Sequence, residues 1–382
     1  MIDILYIQHA HIIGGSVHSL KLLILDSNRY YSSFLLTPNK NIKDYYHKAN
    51  IESEIFGLPI FYHNTAYYYD FSFFGMLRLL KALLTFLFFI PFFLKKISLL
   101  NPRILHLNSS TLFLYLPVIK IFKPKIKTVI HIRENIVNGY FGIRKYLISK
   151  IIENFSDSII CISEVEASLL EIKSKKLDVI YNYVNIPIDL KPRMYNGFLK
   201  VAFLGGLQKI KCTLEVLKAI SIYPEKIELM ILGANQDDLN KIKFNDPNYY
   251  NQIKPLISKL KQEKKLVVFK KTTKPLFYLN ESNVVLFLAR LPHFPRPVFE
   301  GWMLGKPIIY YNPHFHSENL NNNNLIELNE INENEICQKL LILNKNYGNF
   351  LNKFQKTRNI SIEKFSSKNF YRIKTIYDKH IV

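Results

Sequence analysis

The chain has 382 residues, with 51 Lys and Arg against 30 Asp and Glu, which gives a formal net charge of +21. This length favours two α/β domains over one. The charge predicts attraction to anionic lipid or phosphorylated substrates, although the generally Lys-rich composition accounts for part of it. The basic residues are dispersed and match no nucleic-acid module, so we expect no nucleic-acid partner. Three distant cysteines are typical of a reducing compartment.

The first half begins with a predicted buried strand, Ile2–Ile7, which leads through Gly14 and Gly15 into a helix from Ser16. Asp3 interrupts the first apolar segment, so we expect no signal peptide. A strand-to-helix turn that opens on glycines lets backbone approach a ligand closely. Further strands are predicted at Ser33–Leu36, Ile104–Leu107, Thr128–Ile132, Ser158–Ile162 and Val179–Tyr181. Helical or irregular stretches separate these strands, which favours a parallel doubly wound sheet.

The most hydrophobic segment is Met76–Leu94, which is interrupted by Arg78, Lys81 and Pro91. Its uncharged run is too short to span a bilayer. Two interpretations stay open at this stage. The segment is either a core helix of the first domain or an interfacial helix whose phenylalanines enter lipid while lysines meet anionic headgroups.

The pattern restarts in the second half after an irregular stretch, Asn182–Phe198, that is typical of an interdomain linker. Strand Val201–Leu204 precedes Gly205 and Gly206, and a helix is predicted from Thr213. The remaining strands are predicted at Ile227–Leu232, Leu266–Phe269, Val284–Leu288 and Ile308–Tyr311, with helices near Glu335–Leu343 and Asn369–Lys379. A glycine pair after the first strand of each half predicts two similar halves facing a shared cleft.

The stretch Pro292–Pro307 lies between two apolar runs and predicts a short helix. Pro297 suits the first helical position and Gly305 suits the position where a helix ends. Glu300 is then expected in the first turn, beside a helix N-terminus that favours anions. This arrangement indicates half of a nucleotide-diphosphate site.

Several motifs together resemble family 4 of the retaining GT-B glycosyltransferases, the glycosyl transferases group 1. They run in family order along nearly the whole chain. The motifs are HIRENI (131–136), ICISEVEA (160–167), VIYNYVNI (179–186), VAFLGGLQKIKCTLEVLKAI (201–220), IELMILG (227–233) and FEGWMLGKPII (299–309).

The resemblance implies a GT-B fold, in which two Rossmann-like doubly wound domains face a central cleft. Residues 1–185 are expected to form the acceptor-side domain, 186–199 a linker, and 200–365 the nucleotide-sugar donor domain. A final helix over 366–382 follows, and whether it crosses back to the first domain stays open.

The resemblance also implies the roles of particular residues. Lys211 matches the lysine that neutralises the leaving diphosphate, Glu300 the glutamate that accepts the ribose hydroxyls, and His131 the histidine that faces the transferred sugar. A positioned lysine acts here as a point charge, and a carboxylate makes charge-assisted hydrogen bonds to hydroxyls. The donor is also expected to contact Gly14, Gly15, Gly205, Gly206, Arg296, Pro297 and Val298.

Two positions depart from the family pattern. Gly206 stands where the family often has arginine, and Pro292 stands where it has a first glutamate. We expect Arg296 to replace the missing diphosphate contact, with Lys209 and Arg290 as alternatives. The chain has no Asp-x-Asp motif and no convincing metal-ligand set, so we predict no catalytic metal and no cofactor besides the nucleotide-sugar substrate.

The resemblance thus implies a metal-independent hexosyltransferase that retains the configuration of the transferred sugar. The expected acceptor is a lipid-linked or surface glycan of lipopolysaccharide, capsule or O-antigen type. We expect a cytoplasmic protein, peripheral at the inner face of the cell membrane. A transferase for a soluble acceptor and a non-catalytic homologue that binds sugar nucleotides or polyanions are the alternatives.

Overall fold

The computed structural model describes residues 2–61, 69–136, 138–184, 195–272, 274–290, 296–311 and 325–381. The chain divides into two compact units. The first unit comprises residues 1–184 and 367–382, and the second comprises residues 185–366.

The first unit is built on a seven-stranded parallel sheet within the described residues, in the order β3-β2-β1-β4-β5-β6-β7. Buried apolar residues make up most of its central strands, as expected for a sheet that is covered on both faces. The strands are β1 (Ile2–Ile7), β2 (Ser33–Thr37), β3 (Ser53–Ile55), β4 (Pro102–Leu107), β5 (Lys127–Ile132), β6 (Ser158–Cys161) and β7 (Leu177–Val179).

Two hydrophobic clusters cover the two faces of this sheet. The helices are α1 (Gly15–Ser27), α2 (Lys40–His47), α3 (Phe73–Leu100), α4 (Tyr115–Phe122), α5 (Ile143–Phe155), α6 (Glu164–Leu170) and, from the end of the chain, α14 (Lys368–Ile381). Phe370 and Ile373 of α14 belong to the same cluster as Val17 of α1. Tyr377 of α14 also lies 2.8 Å from Nδ1 of the buried His106. The last helix is therefore part of the first unit.

The second unit has a six-stranded parallel sheet within the described residues, in the order β10-β9-β8-β11-β12-β13. Its strands are β8 (Leu199–Phe203), β9 (Ile227–Leu232), β10 (Leu266–Lys270), β11 (Val284–Leu288), β12 (Ile308–Tyr311) and β13 (Ile326–Glu327). Its helices are α7 (Thr213–Ile222), α8 (Gln236–Asn245), α9 (Pro247–Gln262), α10 (Pro275–Glu281), α11 (Arg296–Met303), α12 (Glu333–Lys345) and α13 (Tyr347–Phe365).

Most predicted strands are confirmed within one or two residues, and the differences lie at the sheet edges. The strand predicted at Val179–Tyr181 lies two residues earlier, at Leu177–Val179. The short edge strands β3 and β13 were not predicted, because two or three residues are too few to show an alternating pattern.

The structure corrects the expectation that the hydrophobic segment Met76–Leu94 is too short to span a bilayer. It is one continuous helix, α3, of 28 residues that includes Pro91. Within the described part of the chain, α3 alone is long and apolar enough to cross a membrane by length and composition, and most of its residues are exposed or half-buried. One side of α3 nevertheless belongs to the core, where Phe86, Phe93 and Ile97 are buried. The helix therefore combines a core stripe with a wide exposed side.

Candidate functional site

Each sheet has one point at which the strand order reverses, and ligands of open α/β sheets bind beside the carboxyl ends of the strands at such points. The order reverses between β1 and β4 in the first unit and between β8 and β11 in the second. Gly14 and Gly15 follow β1, whereas Gly205 and Gly206 follow β8. Both predicted glycine pairs thus lie where the topology favours a ligand.

The fold of the second unit itself requires glycine at positions 205 and 206. A Cβ at Gly205 would overlap the ring of Phe203. Gly206 has a φ of +60°, which side chains disfavour, and a Cβ there would lie 3.3 Å from the carbonyl oxygen of Gly233. The N–H of Gly206 also donates to the carbonyl of Leu232 at 3.1 Å. The loop after β8 is therefore held tightly against the end of β9.

Lys211 is the principal cation of this loop. It ends a 3-10 turn, Lys209–Lys211, that precedes α7. Its Nζ atom is buried, has no hydrogen-bond partner among the described residues, and lies 4.9 Å from the centre of the Phe287 ring. Burial lowers the pKa of Lys211 to about 7. An ammonium group without an acceptor is costly in such a place, and a bound anion would stabilise its charge.

Lys209 and Arg290, two alternatives for the missing diphosphate contact, are bonded to carboxylates of the protein. Nζ of Lys209 lies 2.5 Å from Oδ2 of Asp246. Nη2 of Arg290 donates to Oε1 of Glu215 at 2.6 Å, and its backbone N–H donates to the carbonyl of Ile210 at 2.9 Å. Arg290 therefore ties the end of β11 to α7 and to the turn that contains Lys211.

Glu300 lies in the second turn of α11, not in the first turn as predicted, because α11 is described from Arg296. The Glu300 side chain is 3% exposed, and its Oε1 accepts from Nε of Arg296 at 2.7 Å. The expected ribose acceptor and the expected phosphate contact are thus paired with each other. Val298 is fully buried, so the expected contact of Val298 with the donor has no exposed surface in this structure. Pro292 lies outside the described residues.

The Gly-Lys-Pro element after α11 stabilises the fold of the second unit. Gly305 has a φ of +66°, which suits the end of a helix. Lys306 is buried, and its Nζ donates to the carbonyls of Asn280 and Ser282, at 2.8 Å each. Arg358 of α13 donates to the carbonyl of Met303 at 2.9 Å. These bonds position α11, and with it Glu300, against the sheet.

Gly14 and Gly15 differ from the second glycine pair, because the chain itself does not require them. Gly14 has an extended backbone with a φ of −147°. A Cβ at Gly15 would meet no atom within 4 Å. The space beside this helix start is open to a ligand. His18 on α1, near this helix start, has its Nδ1 2.5 Å from the hydroxyl of Tyr45.

His131 lies near the carboxyl end of β5 and is 2% exposed. Its Nδ1 lies 3.3 Å from Nη2 of Arg133. Arginine can only donate, so Nδ1 accepts and Nε2 carries the ring proton. Burial, together with Arg133 and His106, lowers the pKa of His131 well below its ordinary value, so the ring is neutral at pH 7. Nε2 has no partner among the described residues and is a donor available to a hydroxyl group.

Further buried polar atoms near the carboxyl ends of β1, β4 and β5 lack partners within the described ranges. They are Nδ1 of His9, Nδ2 of Asn108 and Oδ1 of Asn135. Unpaired buried polar atoms are rare in proteins and need an explanation. A ligand with several hydroxyl groups can satisfy donors and acceptors together, which makes this edge of the first unit a candidate sugar or acceptor site.

Arg133 and Glu134, which directly follow β5, form hydrogen bonds with residues that follow the neighbouring strand β4. Nε of Arg133 donates to Oδ1 of Asn108 at 2.6 Å, and Ser110 donates to Oε1 of Glu134 at 2.7 Å. Sequence reasoning missed Asn108 and Ser110. Their signal was available, because the polar run 108–111 directly follows the apolar strand β4.

Comparison with known families identifies the second half of the chain. Residues 189–357 match the family Glycosyl transferases group 1. This part of the chain is a glycosyl transferases group 1 domain, which supports a glycosyltransferase activity. No curated protein sequence matches the chain significantly.

Solved structures resemble the whole chain. Anabaena HepE in complex with UDP is 14% identical, with a TM-score of 0.75 over 99% of this chain and 100% of that one. A glycosyltransferase from Rickettsia africae is 17% identical, with a TM-score of 0.72 over 100% and 98% of the two chains. The lipopolysaccharide outer core galactosyltransferase WaaB is 14% identical, with a TM-score of 0.60 over 100% of both chains. The expected fold class is confirmed: two parallel α/β sheets of the GT-B type.

Proposed function

We propose that the protein is a retaining, metal-independent glycosyltransferase that moves a hexose-type sugar from a nucleotide-diphosphate donor to a lipid-linked or surface-polysaccharide acceptor. It acts in the cytoplasm at the inner face of the cell membrane. The observation that carries the proposal is Lys211, whose buried Nζ lacks a partner among the described residues at the strand-order reversal of a glycosyl transferases group 1 domain.

Lys211 supports the donor half of the proposal. A departing nucleoside diphosphate gains negative charge, and a cation already positioned in a partly dehydrated site stabilises that charge. The attacking hydroxyl approaches from the side that the diphosphate leaves, and the leaving oxygen accepts its proton. HepE, which has the same fold, has been solved with UDP and with UDP-glucose. Glu300 supplies the ribose contact, and the Arg296–Glu300 pair loosens when the donor binds.

His131 supports the sugar-binding half. Its neutral ring and protonated Nε2 make it a hydrogen-bond donor that does not change charge during the reaction. The partnerless atoms of His9 and Asn108 extend the same polar edge. WaaB, a lipopolysaccharide galactosyltransferase of similar fold, is a precedent for the surface-glycan acceptor proposed here.

A screen of nucleotide sugars for binding and slow hydrolysis tests the proposal directly. We expect one donor to bind and to be hydrolysed with the sugar released first as the anomer of the donor, detected by proton NMR before mutarotation. Release of the opposite anomer contradicts retention. Binding without hydrolysis, even with glycan or lipid-linked acceptors added, favours the non-catalytic alternative, in which Gly206 replaces the usual arginine.

The pKa of Lys211 predicts a pH-dependent affinity for the donor. Free Lys211 loses its proton above about pH 7, whereas a bound diphosphate favours the charged form. UDP-glucose does not titrate between pH 6 and 9 in its phosphates, so its affinity reports the protein. Burial raises the pKa of the adjacent Cys212 to about 11, so its thiol stays neutral over this range.

We therefore expect calorimetry to show that UDP-glucose binding is constant below pH 7 and weakens by up to about tenfold per unit above it. Binding at pH 8 should also take up a proton from the buffer. The Lys211→Met variant is the control and should lose the pH dependence. A flat profile in the unmodified protein would contradict the role of Lys211.

A further inference from the structure

Helix α3 presents a wide apolar side to solvent. Phe73 and Phe74 at its start are 72% and 70% exposed, and Phe88 in its middle is 74% exposed. Leu84 and Leu87 are each 58% exposed on the same helix. Contiguous exposed apolar surface of this kind marks a site of interaction with a membrane or another protein.

A turn of the chain before α5 extends this apolar surface. Phe141 is 97% exposed, and Tyr140 and Phe141 both have left-handed backbones, with φ of 49° and 55°. Left-handed backbone is unfavourable for bulky residues and therefore needs a reason. The ring of Phe71, just before α3, lies 4.5 Å from the Tyr140 ring and 6.0 Å from the Phe141 ring. The turn thus places an exposed aromatic side chain beside the start of α3.

Helix α5, which follows this turn, continues the surface. Its outward side chains Ile143, Tyr146 and Leu147 are 59%, 61% and 52% exposed. Helices α3 and α5 each contact α4, and α3 and α5 pack into the same hydrophobic cluster on one face of the sheet. We call α3, the Tyr140–Phe141 turn and the outward side of α5 the apolar platform.

The charges of α3, α4 and α5 favour an anionic lipid surface over a second copy of the chain as the partner of the platform. The basic residues of α3, α4 and α5 are Arg78, Lys81, Lys95, Lys96, Lys120, Arg144, Lys145 and Lys150. Four of them, Lys96, Lys120, Lys145 and Lys150, form ion pairs with Glu54, Asp157, Glu171 and Glu153. Arg78, Lys81 and Lys95 are exposed beside the phenylalanines and leucines of α3. Basic side chains that flank an apolar face attract anionic lipid headgroups. A symmetric dimer through the platform would instead bring like charges together.

We infer that the apolar platform docks the protein on an anionic lipid surface, with α3 lying in the interface and not crossing the bilayer. If α3 crossed the bilayer, Phe86, Phe93 and Ile97 would have to leave the core of the first unit, where they are buried. The ring of Phe93, for example, lies 4.7 Å from the ring of Tyr115 in that core. This inference deepens the membrane part of the proposed function. Its test does not depend on nucleotide binding or catalysis.

Vesicle co-sedimentation tests the docking. The full chain is mixed with vesicles of phosphatidylcholine alone or with about one third phosphatidylglycerol. We expect binding chiefly to the anionic vesicles. The variant Phe88→Ser with Phe141→Ser should bind them at least about tenfold more weakly, because two exposed aromatic anchors are lost. The variant Arg78→Gln with Lys81→Gln should lose most of the preference for anionic lipid.

Helix α8 in the second unit offers matched controls. Phe244 is 82% exposed there, and Lys241 and Lys243 are exposed on the same helix. Phe244→Ser, and Lys241→Gln with Lys243→Gln, should leave vesicle binding unchanged. All variants alter exposed side chains, so their melting temperatures and UDP-glucose affinities should match the unmodified protein. Retained vesicle binding without binding of any nucleotide sugar in the screen would contradict the proposed function and leave this inference standing.

Measurements of the depth of fluorescent side chains in the bilayer distinguish a helix α3 that lies in the membrane interface from one that crosses the bilayer. The one native tryptophan, Trp302, is 2% exposed, so Phe88→Trp and Phe141→Trp add exposed reporters. We expect shallowly brominated lipid to quench both reporters to a similar extent. Quenching of the position-88 reporter by deeply brominated lipid alone would overturn the interfacial orientation. The lipid assignment would be overturned if the unmodified protein did not bind vesicles. It would also be overturned if the unmodified protein formed dimers that the double serine variant disrupts.

Discussion

Lys211→Met is expected to weaken UDP-glucose binding and to stabilise the folded protein at the same time. The buried ammonium group is the charge that a diphosphate would pair with, and charged hydrogen bonds contribute about 1.5–3 kcal/mol. Affinity should therefore fall by about tenfold to a hundredfold, measured by calorimetry at pH 6.5. The change in stability has the opposite sign, because Lys211 has a lowered pKa in the folded state.

The lowered pKa means that the unfolded chain holds the Lys211 proton more tightly than the folded protein does. The cost to stability is greatest below pH 7 and disappears as the pH rises towards the pKa of an unperturbed lysine. Methionine removes that cost, so the free energy of unfolding should rise by about 1–3 kcal/mol near neutral pH. Urea denaturation at pH 7 and pH 10 would measure this gain and its loss.

Lys209→Met provides the matched control two residues away. Lys209 is exposed and paired with Asp246, so we expect little change in UDP-glucose affinity. If Lys211→Met left both the UDP-glucose affinity and the free energy of unfolding unchanged, Lys211 would be hydrated in solution. That result would exclude Lys211 from the donor-binding site.

Glu300→Gln has the second large expected effect, a loss of about 1.5–3 kcal/mol in UDP binding, because the carboxylate is expected to accept the ribose hydroxyls. Arg296 complicates this test, since it is bonded to Glu300 in the free protein. The substitution also removes the negative charge at Oε1 of Glu300 that pairs with Arg296, and a general loosening of α11 would weaken binding as well.

A second ligand separates these two causes. If Glu300 binds the ribose, Glu300→Gln should cost little affinity for 2′,3′-dideoxyuridine diphosphate, which lacks the hydroxyls. Equal losses for both ligands would assign Glu300 to positioning α11 through Arg296. Arg296→Gln is the companion variant. A role in phosphate binding predicts that it weakens binding of both ligands to the same extent.

The fold was predictable in its main features because its strands are buried on both faces. Val284–Leu288 and Ile308–Tyr311 are uninterrupted apolar runs between turn residues, and the structure has strands with these bounds. The structure differs where patterns are short, as in β3 and β13. The turn position of Glu300 was also misplaced, because the proline taken as the helix start follows Arg296, which is already helical.

The candidate site was predictable only in part. Gly205, Gly206 and Lys211 follow a predicted strand, so their place at the edge of a sheet could be predicted. Asn108 and His9 become candidate ligand-binding residues only because their buried polar atoms lack partners among the described residues. No local pattern indicates this, since burial depends on strands that are distant in the chain.

The sequence by itself determined the order of strands and helices, the two glycine pairs and the chain positions of His131, Lys211 and Glu300. Tertiary structure alone decided their chemistry. Lys211 loses water because Phe287 from β11 covers it, and His131 is neutral because the sheet buries it beside His106 and Arg133. Apolar residues occur around the whole circumference of α3, with basic residues only at Arg78, Lys81, Lys95 and Lys96, so its sequence does not single out a core-facing side. Packing against the first sheet decided which of its phenylalanines are core and which stay exposed.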